Sequence, residues 1–149
     1  MLSYIAKVEY RDVAIMNGHK RLAIVLKAMG HPVRLRILEA ISFEGEACVC
    51  HLEHHLGERQ AYISQQLARM RGAGLVLDRR EGLNIYYSLS DDAVATLLQE
   101  VKKAADAMSV SEERPRAAYA PIPDRSATCP CPRCQEKRQG VSASWSKAS

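Results

Sequence analysis

The 149 residues leave room for one domain and a tail, and an apolar share of 47% is enough for a true core. No apolar run reaches the length of about 18 residues that a spanning helix needs. MLSYIAKVEYRD sets Lys7, Glu9, Arg11 and Asp12 where a secretory signal would be apolar, so a cytoplasmic protein that does not enter the membrane is expected. The net charge of +4 is modest. Residues 59–80, however, carry Arg59, Arg69, Arg71, Arg79 and Arg80 against Asp78 alone. Such a local excess attracts a phosphate backbone, although a solvated face can also show it.

Residues 4–16 have a weak helical pattern, interrupted at Gly18. In KRLAIVLKAMG, Leu22, Val25, Leu26 and Met29 recur at helical spacing, and Gly30 ends the helix. Pro32 opens a second helix, VRLRILEAIS, with Leu35, Leu38 and Ile41 turned inward and Gly45 as its break. A third helix is expected over about 46–56, with Val49, Leu52 and Leu56 as its apolar stripe. After the turn GERQ, residues 60–72 are helical again, with Ile63, Leu67 and Met70 inward. The other side of this helix offers Gln60, Tyr62, Ser64, Gln65, Gln66 and Arg69, with no carboxylate among them. That set suits an anionic surface rich in hydrogen-bonding groups.

The period then changes. LVLDRREGLNIYYSL is β-branched and aromatic, with Ile85, Tyr87 and Leu89 alternating about a turn at Glu81–Asn84, so a hairpin is expected. Asp91 caps a last helix over 92–108, whose stripe of Val94, Leu97, Leu98, Val101, Ala105 and Met108 is long enough to share with a second subunit. From residue 109 the periodicity is lost, and prolines fall among Ser, Ala and Arg. Residues 1–108 are therefore taken as the folded domain and 109–149 as a disordered, cysteine-containing tail.

Short helices, a polar-faced helix after a tight turn, then a hairpin: this order is a winged helix-turn-helix, mainly α with a small β-hairpin. The polar helix would enter the major groove of double-stranded DNA. Gln60, Gln65 and Gln66 have the geometry to pair with adenine edges, and Arg69 to reach guanine or phosphate. Arg79 and Arg80 at the wing base suit phosphate contacts. No glycine-rich phosphate loop or βαβ setting for a thiol reductase is present, so an enzyme is not expected.

The five cysteines are odd in number and form two clusters, Cys48 and Cys50, then Cys129, Cys131 and Cys134. A disulfide framework wants even numbers and an oxidising compartment, so metal or redox chemistry is the better expectation. His51 and His55 stand four apart, a metal spacing, but HLEHH lacks the metalloprotease order, and solvated helix histidines are expected.

LKAMGHPVRLRILEAI, EACVCHLEHHLG and YISQQLARMRGAGLVLDRREGLNIYYSLS together resemble the ArsR/SmtB family of bacterial metal-sensing repressors over about residues 22–105. The resemblance implies a homodimer on a palindromic operator, with the first and last helices at the dimer interface. It also implies a repressor of a metal or metalloid resistance operon that an inducing ion releases. The family's Cys-Val-Cys sensing motif matches Cys48 and Cys50, while His31 replaces the usual acidic residue before Pro32. Glu53 stands where arsenic-sensing relatives carry a third cysteine. Val94 and Ala105 fall where the histidines of the family's zinc site would lie, so Zn(II) is the less expected inducer. As(III)/Sb(III) and Cd(II)/Pb(II) remain open, and a thiol-redox repressor is the alternative mechanism.

Residues two apart on an ideal helix point about 200° apart. Both sulfurs can face one ion only if the helix is distorted, so ion binding and a regular helix are expected to compete. The tail can supply the missing ligands, because about 20 flexible residues span roughly 25 Å. One or two of Cys129, Cys131 and Cys134 are thus expected to complete the site of Cys48 and Cys50, in the same chain or across the dimer. A separate buffering motif, a redox cluster or an inert end are the other readings of the tail.

Overall fold

The computed structural model describes residues 17–108 and 129–140. The helical expectation for 4–16 and most of the tail lie outside the described residues. The elements are α1 (Gly18–Met29), α2 (Pro32–Glu44), β1 (Ala47–Cys48), α3 (Val49–Leu56), α4 (Gln60–Gly72), β2 (Val76–Glu81), β3 (Asn84–Leu89), α5 (Asp92–Met108) and α6 (Pro132–Arg138). Gly18 begins α1 rather than interrupting it, because the Asn17 side chain accepts from the His19 N–H and caps the helix. His31 caps α2 in the same way, its Nδ1 accepting from the Val33 N–H, so the departure before Pro32 exchanges one cap for another.

The helix-turn-helix is α3 and α4. Gly57 takes a left-handed φ of 69° at the end of α3, a conformation that a Cβ would strain. Arg36 donates to the Leu56 carbonyl, an acceptor left over at that helix end. Leu52, Ile63, Leu67 and Met70 are fully buried between the two helices and α2. The helix expected over 46–56 starts at Val49, and the residues before it form β1. The sheet order is β1-β3-β2, antiparallel throughout, with Cys48 opposite Tyr86 and Arg79 opposite the same Tyr86. The hairpin turns through Gly82 and Leu83, with φ 59° at Gly82.

Val94 and Leu98 seat α5 on the core, and a Lys102–Glu39 ion pair ties it to α2. Leu22 and Leu26 on α1 and Val101 and Met108 on α5 stay exposed in the single chain. Among the described residues no helix is long and apolar enough to cross a membrane.

One residue of the expected DNA-facing set is a core residue instead. Gln66 is 2% exposed, and its Oε1 accepts from Arg34 Nη1 at 3.3 Å. Arg34 is itself buried and donates to the Lys27 carbonyl. Removing the amide would leave that guanidinium short of an acceptor. Gln66→Ala is therefore expected to cost about 1–3 kcal/mol in urea unfolding. Gln65→Ala, on the exposed side of the same helix, should stay within about 0.5 kcal/mol. Equal effects of the two would contradict this placement.

Candidate metal centre

Cys48 stands outside the helix. Its backbone is extended (φ −86°, ψ 163°) because β1 pairs with β3, and its Sγ accepts from the His51 N–H as the N-cap of α3. Cys50 lies in the first helical turn. The strand-to-helix junction swings the two sulfurs together, to 2.8 Å. No helix distortion is needed, so the expected competition between a regular helix and an ion falls away.

Part of the tail departs from the expectation of disorder. Residues 129–140 contain α6, opened by Pro132, and Cys129, Cys131 and Cys134 are all buried against the junction. Cys129 Sγ is 3.5 Å from Cys50 Sγ. Arg133 Nη1 donates to Glu46 Oε2 at 2.8 Å, and Arg138 Nη1 to the Cys129 carbonyl at 2.9 Å. All five cysteines are free thiols. The sulfurs of Cys48, Cys50, Cys129 and Cys131 lie within 4.8 Å of one another.

Burial and a hydrogen bond with Cys50 hold the Cys48 thiol well above its ordinary pKa. Burial also raises Cys129, and it pushes Cys134 up to about 12 with help from a hydrogen bond to Cys131. Cys131 goes the other way. Burial opposes its ionisation, but hydrogen bonds from the Cys134 backbone and from the thiols of Cys134, Cys48 and Cys129 outweigh it. Cys131 is therefore the most readily ionised of these four sulfurs. A tetrahedral thiolate cage with metal–sulfur bonds of about 2.3 Å has edges of roughly 3.8 Å. The four sulfurs converge as a candidate donor set for a metal ion, with the Cys48–Cys50 pair closer than such an edge.

The histidines do not match the solvated reading. His51 is 4% exposed and His55 5%. Their rings stack at 5.7 Å, and His51 Nδ1 lies 3.0 Å from Cys134 Sγ. His51 meets Cys134 of the tail, 83 residues away in sequence, and no local pattern announces that contact.

Of the expected DNA-contacting residues, Gln60, Ser64, Gln65 and Arg69 are exposed on α4. Tyr62 is half-buried, its hydroxyl 3.5 Å from His31 Nε2. Arg80 is exposed on the wing and donates to the Gly82 carbonyl. Arg79 is exposed on the wing, but its guanidinium is already engaged by carboxylates of the protein. It pairs with both oxygens of Glu46 at 2.9 and 3.0 Å, reaches Glu81, and lies 5.2 Å over the Tyr86 ring. Glu46 lowers its own pKa chiefly through the Arg79 hydrogen bond, and it is shared with Arg133 of the tail. Sequence reasoning missed Glu46 as this bridge, since both partners lie far from it along the chain.

The family model for the bacterial regulatory protein, arsR family, matches residues 31–77. The chain is 37% identical over 122 residues to the arsenic resistance transcriptional regulator ArsR1 of Pseudomonas putida, covering 72% of this chain and 95% of that protein. It is 34% identical to a cadmium resistance transcriptional regulatory protein, a CadC homolog of Staphylococcus aureus, over 60% of this chain and 74% of that one. Among solved structures, the homodimeric winged helix-turn-helix DNA-binding domain Mb0332 of Mycobacterium bovis superposes with a TM-score of 0.57. It is 28% identical, over 73% of this chain and 96% of that domain. Such identity along nearly the whole of a transcriptional regulator, on a shared winged-helix fold, makes this chain a member of the ArsR family of bacterial regulatory proteins and not an enzyme.

Proposed function

We propose that the chain is a cytoplasmic, homodimeric repressor of a metal or metalloid resistance operon, released from its operator when a thiophilic ion engages Cys48, Cys50, Cys129 and Cys131. The observation that carries this reading is the convergence of four free sulfurs from two distant segments within 4.8 Å. Four thiolates suit Cd(II) or Pb(II) better than As(III) or Sb(III), which take three. The exposed leucines of α1 and the outer stripe of α5 support pairing with a second copy. Gln60, Ser64, Gln65 and Arg69 supply the reading face, and Arg80 a phosphate contact.

When bound, the ion supplies the positive charge that lets several thiolates be buried together. The rest is done by the chain. The docked tail sets Arg133 on Glu46, and Glu46 holds Arg79 on the body at the wing base. β1 joins Cys48 to β3, whose Tyr86 lies under Arg79. α3 packs directly on the reading helix. Tail docking therefore favours one arrangement of wing and reader, and DNA favours another. A coupling of this kind typically changes affinity about 5–150-fold.

A second reading is a thiol-redox repressor, favoured by the close approach of free thiols, with Cys48 and Cys50 at 2.8 Å, and by hydrogen bonds that lower the pKa of Cys131 from its ordinary value. Peroxide would then join two thiols as a disulfide, itself reduced to water, and release DNA without any metal.

Operator release titrated with Cd(II) separates these readings. Replacing Cys129, Cys131 and Cys134 together by serine is expected to raise the Cd(II) needed for half-release by more than about tenfold, since even outer-shell changes cost about 10–100-fold in metal affinity. In the same titration Glu46→Gln should keep Cd(II) binding but lose much of the release. Unchanged release in the triple variant would remove the tail cysteines from the site, and release by peroxide but not by Cd(II) would replace the metal reading by the redox one.

The pH dependence has a definite sign. Cys48 and Cys129, with raised pKa values, hold their protons at neutral pH and must lose them to ligate. Apparent Cd(II) affinity is expected to rise between pH of about 6 and about 8, roughly tenfold per unit for each proton released. A flat profile by competition titration would contradict the protonated cluster.

A further inference from the structure

A second set of donors adjoins the four sulfurs. A ring nitrogen of His51 and the sulfurs of Cys129 and Cys134 lie within 4.8 Å of one another, and all three residues are buried. His51 Nδ1 is 3.0 Å from Cys134 Sγ. The other ring nitrogen, Nε2, faces Glu44 Oε1 at 3.8 Å, and that carboxylate is itself only 10% exposed. Metal-ligating histidines regularly hydrogen-bond their second nitrogen to a carboxylate, and Glu44 stands beside Nε2 here, just beyond hydrogen-bond distance. The His55 ring, stacked within 18° of parallel, restrains the imidazole further.

We propose that His51, Cys129 and Cys134 form a second ion site that shares Cys129 with the tetrathiolate set and takes a borderline divalent ion of the Zn(II) class. Imidazole and thiolate together match that class better than they match the softest ions. A thiolate has lone pairs enough to bridge two ions, and three protein ligands leave a fourth position for water or an exchangeable group. The inference rests on the proposed thiolate site through Cys129, the sulfur common to both. It makes the chain a two-ion protein in which the second ion ties α6 to α3 through Cys134 and His51.

Native mass spectrometry of the reduced full chain, given one equivalent of Cd(II) and then Zn(II), counts the ions held. Two per chain are expected for the wild type, and one for His51→Gln and for Cys134→Ser. A wild type holding one ion, or two ions in both variants, overturns the second site. Cadmium NMR of the wild type with two equivalents of Cd(II) needs no variant to fold. It should give two resonances, one of them displaced towards nitrogen coordination, and a single resonance also overturns the proposal. The ultraviolet thiolate-to-Cd(II) band separates the two readings. If it is absent from the wild type, the tetrathiolate site fails as well; if it is present with one ion bound, only the second site fails.

Discussion

Cys48 pairs with Tyr86 in the sheet and caps α3 with its own sulfur, and these two bonds decide where that sulfur can go. Inside the helix, Cys48 and Cys50 would diverge by about 200°. At the junction they meet at 2.8 Å, and the edge they form receives the tail cysteines. The site thus depends on a two-residue strand. It also stands at the joint between wing and reader, so whatever fills it bears on both DNA-contacting elements at once.

Bringing five thiols into one buried cluster is unfavourable for their ionisation, and the raised pKa values of Cys48, Cys129 and Cys134 express that cost. The protein offsets part of it by directing hydrogen bonds to Cys131, which lower its pKa. Arg133 and Arg138 add two anchors for the tail segment, one to Glu46 and one back to Cys129. In the proposed function a positive ion completes the balance, so that tail docking and ion binding belong to one equilibrium. Glu46, held by arginines from the wing and the tail, is then the point where that equilibrium meets DNA affinity.

The winged helix-turn-helix was largely legible in the sequence. The apolar periods of α1 to α5, the caps at Gly30 and Asp91, the turn that begins at Gly57, and the change to β alternation after the reading helix carry local information. The cysteine pair and the gap at Glu53 likewise pointed to distant ligands, and the reach of the linker made Cys129, Cys131 and Cys134 candidates. The errors share a different cause. Gln66 turns inward to Arg34, 32 residues away, Arg79 is held by Glu46, 33 residues away, and His51 is covered in part by Cys134 of α6. Each depends on a long-range partner that no period or spacing encodes. β1 escaped notice because two residues are too few to show alternation.

The central claim is that tail and junction cysteines ligate one ion together. X-ray absorption at the cadmium edge, on the full chain with one equivalent of Cd(II), counts its sulfur neighbours directly. The account requires about four sulfurs in the wild type and about two when Cys129, Cys131 and Cys134 are all serine. The same sulfur count in both proteins would show that the tail takes no part, and would contradict it.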